Sequence, residues 1–133
     1  ATVTEAATMT PTTTGTPTAT ATATLIATAA SSKVNIRSDV VPDDSSTRWQ
    51  IDINGPTNAG QTLKGDDTTT KTIKPGAYTI IEKGKNNTNL ADYNISYRCA
   101  VGQNEIAAGV GTQIDIVING GENVDCLFTN TRK

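Results

Sequence analysis

Apolar and polar residues alternate with a period of two in short runs along most of the chain, the spacing that sorts side chains onto opposite faces of a strand. Trp49, Ile51 and Ile53 alternate with Arg48, Gln50 and Asp52, and Ile114, Ile116 and Ile118 with Gln113, Asp115 and Val117. Tyr78 and Ile80 share one face and Thr79 and Ile81 the other, while Cys126 falls on the face of Phe128. The isoleucine faces are the predicted core, and the face shared by Cys126 and Phe128 lies within or at the edge of it. Such runs predict seven strands, over Lys33–Arg37, Thr47–Ile53, Thr68–Ile73, Ala77–Glu82, Asn94–Val101, Thr112–Ile118 and Asn123–Thr129. Turn formers punctuate them at Pro42-Asp43-Asp44, Asn54-Gly55-Pro56, Lys74-Pro75-Gly76, Lys85-Asn86-Asn87 and Asn119-Gly120-Gly121. Strands and turns repeating about every ten residues predict an all-β sandwich.

Residues 1–30 alternate differently. Threonine occupies one face and small residues the other: Ala1, Val3, Ala7 and Met9 in a first run, Ala19, Ala21, Ala23 and Leu25 in a second. Glu5 interrupts the apolar face of the first run, Ile26 sits on the threonine face of the second, and Pro11 and Pro17 bracket the break between them. Two extended pieces joined by a linker are expected. Threonine is β-branched and suits a strand, while alanine is too small to fill a deep core. Such a strand packs only against a shallow groove or another backbone. The competing reading is a threonine-rich stalk, O-glycosylated or unstructured.

The 133 residues divide into this segment, 1–30, and one sandwich domain, 31–133. Aromatic residues are few, so the core rests on Val, Ile and Leu, and a domain of this size gains from a crosslink or from assembly. The net charge of -2 and the scattered lysines argue against nucleic acid as a partner. No stretch approaches the roughly 20 apolar residues of a membrane-spanning helix, so no membrane insertion is expected. A chain beginning with Ala reads as a mature, exported form from which a signal peptide has been cleaved, although a partial chain would look the same. In an exported chain the two cysteines, Cys99 and Cys126, read as a disulfide worth roughly 3 kcal/mol, with two reduced core thiols as the alternative.

The runs KVNI (33–36), VVPDD (40–44), WQIDINGP (49–56), PGAYTIIE (75–82), YRC (97–99) and GENVDCLFTN (121–130) occur in an order that resembles the prealbumin-like domains of microbial surface proteins, relatives of the Cna B-type and SpaA-like repeats. The resemblance covers residues 32–131. It implies a seven-stranded, transthyretin-like (prealbumin/immunoglobulin-like) β-sandwich used as an extracellular building block. Many such domains join a first-strand Lys to a last-strand Asn through an isopeptide bond assisted by a buried Glu. Glu82 and Asn130 match two of those positions, but Ser38 falls where the lysine belongs. Lys33 lies too early, and Arg37 does not readily release a proton. No isopeptide bond is expected, with the disulfide serving instead.

Chemistry beyond assembly is thin. The chain has no histidine, no nucleophile beside a base, and no phosphate-binding loop, so no enzymatic activity and no cofactor are expected. Asp43-Asp44 and Asp66-Asp67 lack the spaced ligands of a calcium loop, and no metal site is expected. Asn86 and Asn94 begin N-glycosylation sequons. The leading functional expectation is a structural subunit of an extracellular filament or pilus. Each copy would donate its N-terminal segment to a neighbour, head to tail and without covalent bonds, with Val3, Ala7, Met9, Ala19, Ala21, Ala23, Leu25 and Ile26 as contacts. Its partners would be copies of itself at the cell surface, and other cells or surfaces. The alternative is an adhesin or surface-binding module carried on a glycosylated stalk.

Overall fold

A computed structural model describes residues 30–133. They form two packed sheets. Strands β1 (Ser32–Val41), β4 (Asp67–Ile73), β6 (Tyr93–Val101), β7 (Asn104–Val110) and β9 (Asn123–Arg132) make a five-stranded sheet in the order β4-β1-β9-β6-β7. Strands β2 (Arg48–Asn54), β3 (Ala59–Lys64), β5 (Gly76–Gly84) and β8 (Gln113–Ile118) make a four-stranded sheet in the order β3-β2-β5-β8. The neighbours pair antiparallel except β1 and β9, which run parallel from Lys33 opposite Asn123 to Val41 opposite Thr131.

The expected isoleucine faces point inward, and on β5 the face of Tyr78 and Ile80 does so too. Trp49, Ile51, Ile53, Tyr78, Ile80, Ile114, Ile116, Ile118, Cys126 and Phe128 are all buried. The Trp49 ring meets Tyr93 edge-on at 5.0 Å, and its Nε1 donates to Thr47 Oγ1 at 3.1 Å. The PGAY turn is set by sterics: Gly76 has a φ of +147°, and a Cβ there would lie 2.5 Å from Pro56 Cγ. Tyr78 closes the same corner, its hydroxyl donating to the Lys74 carbonyl and accepting from the Thr57 N–H.

The strand count differs from the expected seven. The two additional strands, β3 and β7, are both edge strands. An edge strand that covers little core needs little apolar alternation. Leu63 alone is buried in β3 and no residue is buried in β7, so neither run carries the period-two signal.

Cys99 and Cys126 stand directly opposite each other on β6 and β9 and are joined as a disulfide, both buried. The bridge closes a separation of 27 residues. Replacing both cysteines by alanine is expected to lower the free energy of unfolding by about 3 kcal/mol while the far-ultraviolet circular dichroism of the sandwich persists. Urea titration of the two proteins measures it.

Candidate functional site

Strand alternation carries polar side chains into the interior, among them Ser38, Glu82 and Asn130. On β1 the inward positions are Ser32, Val34, Ile36, Ser38 and Val40; on β9 they are Val124, Cys126, Phe128 and Asn130; on β5 they are Tyr78, Ile80 and Glu82. Ser38, Glu82 and Asn130 are fully buried. The parallel β1–β9 pairing places Asn130 opposite Val40, one inward position beyond Ser38, and Glu82 faces both from the other sheet. Asn130 Nδ2 donates to Ser38 Oγ at 3.1 Å and to Glu82 Oε2 at 3.2 Å. The structure thus brings together the three isopeptide-like positions expected from the sequence.

The electrostatics of this cluster follow from burial. Desolvation pushes the Glu82 carboxyl up to about 8, and the hydrogen bond from Asn130 pulls the other way more weakly. At neutral pH the neutral acid dominates, and a neutral carboxyl has an O–H to donate. Glu82 Oε1 and Asn130 Oδ1 are the two buried side-chain atoms without a hydrogen-bond partner among the described residues. A proton on Glu82 supplies the donor that two such acceptors lack. Serine at position 38 offers a hydroxyl to Asn130 and no amine, so the arrangement is a hydrogen-bonded cluster built without the group that would attack the amide.

In the acidic pairs, Asp44, Asp66 and Asp67 accept hydrogen bonds from the protein itself. Asp44 accepts from the N–H and hydroxyl of Ser46 and from Arg132, and these contacts hold its carboxyl below the usual carboxylate range. Asp66 accepts from the Val40 N–H at 2.7 Å and Asp67 from the Thr68 N–H at 2.8 Å. Among the described residues no group of three His, Cys, Asp or Glu is placed to hold a metal ion, and no helix is long and apolar enough to cross a membrane. Asn86 is exposed in a turn with φ of 58°, and Asn94 is exposed on β6. The assembly positions Val3, Ala7, Met9, Ala19, Ala21, Ala23, Leu25 and Ile26 lie outside the described residues.

The surface carries a feature that the strand pattern does not predict. Among the described residues β7 and β8 are edge strands that lie beside each other, and they expose Ile106, Val110 and Val117. The available signal was Val117, an apolar residue on the polar face of an otherwise regular strand.

A family model for the prealbumin-like fold domain matches residues 48–132, and the chain belongs to that family. Solved structures similar to it include the major pilin T-13 of Streptococcus pyogenes, with a TM-score of 0.52 and 10% identity over 78% of this chain and 46% of the pilin. A second Streptococcus pyogenes major pilin has a TM-score of 0.46 and 12% identity over 77% of this chain and 48% of the pilin. The pilus-presented adhesin Spy0125 (Cpa) has a TM-score of 0.45 and 15% identity over 77% of this chain and 27% of the adhesin. The chain therefore spans less than half the length of each. At such identities the likeness is one of fold. Among curated proteins nothing matches the chain.

Two measurements test the buried cluster. Intact-mass spectrometry is expected to give the sequence mass less the two hydrogens of the disulfide; loss of one further ammonia would reveal an isopeptide bond. The second concerns pH. The folded value of Glu82 lies above its unfolded value of 4.5, so the native state holds a proton that the unfolded chain releases. The stability this provides is full below about pH 4.5 and is lost as pH rises to about 8. With no histidine in the chain, Glu82 dominates that window among the side chains. The urea midpoint should fall across it by the equivalent of a few kcal/mol, and Glu82→Gln, which keeps a donor without an ionisable group, should flatten the fall.

Proposed function

We propose that this member of the prealbumin-like fold domain family is a structural subunit of an extracellular, pilus-like filament, assembled non-covalently by donation of its N-terminal segment to a neighbouring copy. The observation that carries the reading is the contrast between two parts of the chain. Residues 32–132 supply the nine strands of the two packed sheets, while residues 1–29 alternate threonine with small residues as a strand would. An extended segment leaves its backbone N–H and C=O groups without partners, and an open sheet edge presents the complementary row. Strand addition satisfies both.

The geometry suits a chain of copies. Donor and acceptor lie on different parts of the molecule, so the contact is head to tail and need not close into a ring. At about 3.3 Å per residue, thirty residues span up to roughly 100 Å, enough to reach past one sandwich. The pilins that share the fold supply the class of role, and a cell-surface location goes with it. The buried Ser38-Glu82-Asn130 cluster and the disulfide take the part of internal reinforcement, one by hydrogen bonds and the other covalently.

Deleting residues 1–30 tests this reading by negative-stain electron microscopy. Full-length protein is expected to form fibres and the truncated protein soluble monomers with an intact sandwich. Fibres that survive the deletion would sink strand donation, and full-length protein that never forms fibres would put the adhesin reading first.

A further inference from the structure

Among the described residues the sandwich has four edge strands, β3 and β8 in one sheet and β4 and β7 in the other. They differ in what they offer an incoming strand. On the β3 and β4 side, Lys71 Nζ on β4 reaches across to Gln61 Oε1 on β3 at 3.2 Å, and Lys64 ends β3. Lysine on an edge discourages strand addition, because pairing must desolvate it. β7 and β8 carry no lysine or arginine, and Ile106, Val110 and Val117 are exposed there at 42%, 88% and 64%. Apolar surface left on an unguarded edge is the combination that guarded edges avoid.

The phase of the ladder identifies the backbone groups of β8 that no strand among the described residues pairs. The Glu82 N–H donates to the Thr112 carbonyl at 2.9 Å, and the Lys85 N–H to the Arg48 carbonyl at 2.9 Å. In an antiparallel ladder alternate residues turn their backbone groups to the partner strand. With Thr112 bonded to β5, the residues Ile114, Ile116 and Ile118 face β5, and Gln113, Asp115 and Val117 turn theirs to the open side. Beside them lies a shallow groove of about 520 Å³, lined by Ala77, Thr79, Ile106, Asp115, Ile116 and Val117 among others. The one carboxylate there is occupied, since Asp115 accepts from Thr79 Oγ1 at 2.7 Å and from Gln113 Nε2 at 3.1 Å.

We infer that the open edge of β8, with the groove beside Ile106 and Val117, is the acceptor for residues 18–26 of a second copy of this chain. The inference rests on the strand-donation reading and names its receiving surface. Residues 18–26, TATATATLI, carry no charge, whereas the earlier run contains Glu5. Alternation sends Ala19, Ala21, Ala23 and Leu25 to one face, small enough for a shallow groove until Leu25 fills its end, with threonines on the other. The point where the segment joins the domain favours a second copy over the same chain. Ser32 Oγ donates to the Asn119 carbonyl at 2.7 Å and the Lys33 N–H to the Glu122 carbonyl at 2.9 Å, so the chain enters β1 at the end of the sandwich where β8 finishes. Its own segment would therefore meet β8 only in parallel. A segment from another copy is free to pair antiparallel, the more stable arrangement per residue.

Thiol cross-linking of mixed variants tests it. Ala23→Cys protein is mixed with Val117→Cys protein, or with Gln61→Cys protein as the β3 control, and assembled material is treated with a short bismaleimide and run on a reducing gel. The Val117→Cys mixture is expected to give at least ~10-fold more cross-linked dimer than the Gln61→Cys mixture, because a bound segment holds the thiols at high effective concentration. Fibres that cross-link through Gln61→Cys, or not through Val117→Cys, would overturn the β8 acceptor and leave strand donation standing. Absence of both fibres and cross-links removes both. A double variant, Ala23→Cys with Val117→Cys, that closes within one monomeric chain would overturn the second copy as occupant.

Discussion

The parallel pairing of β1 with β9 is the contact on which the rest of the molecule depends. It joins the first strand of the domain to the last at the centre of the larger sheet, Lys33 beside Asn123 and Val41 beside Thr131. Parallel neighbours cannot be joined by a tight turn, so closing this ladder bears the loop-closure entropy of the whole intervening chain. Its register brings Asn130 within reach of Ser38, and so determines the buried polar cluster. Its direction sets where the N-terminal segment leaves the sandwich. The disulfide reinforces the same place from the other side, since Cys126 on β9 is bonded to Cys99 on β6. In a filament joined through N-terminal segments, tension would enter at β1, pass to β9 through the ladder, and reach β6 through a covalent rung.

The interior of this sandwich holds a carboxylic acid in place of a further apolar contact. A buried acid with incomplete partners costs free energy unless it stays neutral and hydrogen-bonded. Glu82 manages this by remaining protonated, with Asn130 as its partner and Ser38 completing the amide's donors. A cluster of this kind ties β1, β5 and β9 together across both sheets. Its strength depends on protonation, as a covalent link at the same place would not.

Legibility from the sequence followed burial. Strands whose inner face is continuous apolar surface announced themselves, as β2 did with Trp49, Ile51 and Ile53 and β8 with its three isoleucines. Strands at the rim did not, because β3 buries only Leu63 and β7 buries nothing. Ser38, Glu82 and Asn130 were placed by their order along recognisable strands, and the structure adds the hydrogen bonds and the two unpartnered atoms. For the groove at β8 the sequence held only the partial signal of Val117 on a polar face. The groove arises where edges of two different sheets come together, and neither Ile106 nor Val117 alone marks a surface.

Amide hydrogen exchange at Gln113, Asp115 and Val117 in assembled material is the most direct test of the central claim, that the N-terminal segment of one copy completes the open edge of another. These backbone groups face the open side of β8, and exchange reports the hydrogen bonds they gain. Slow exchange at all three in full-length assemblies, with rapid exchange in protein lacking residues 1–30, is the predicted result. Equal exchange in both, with fibres present, would contradict the account.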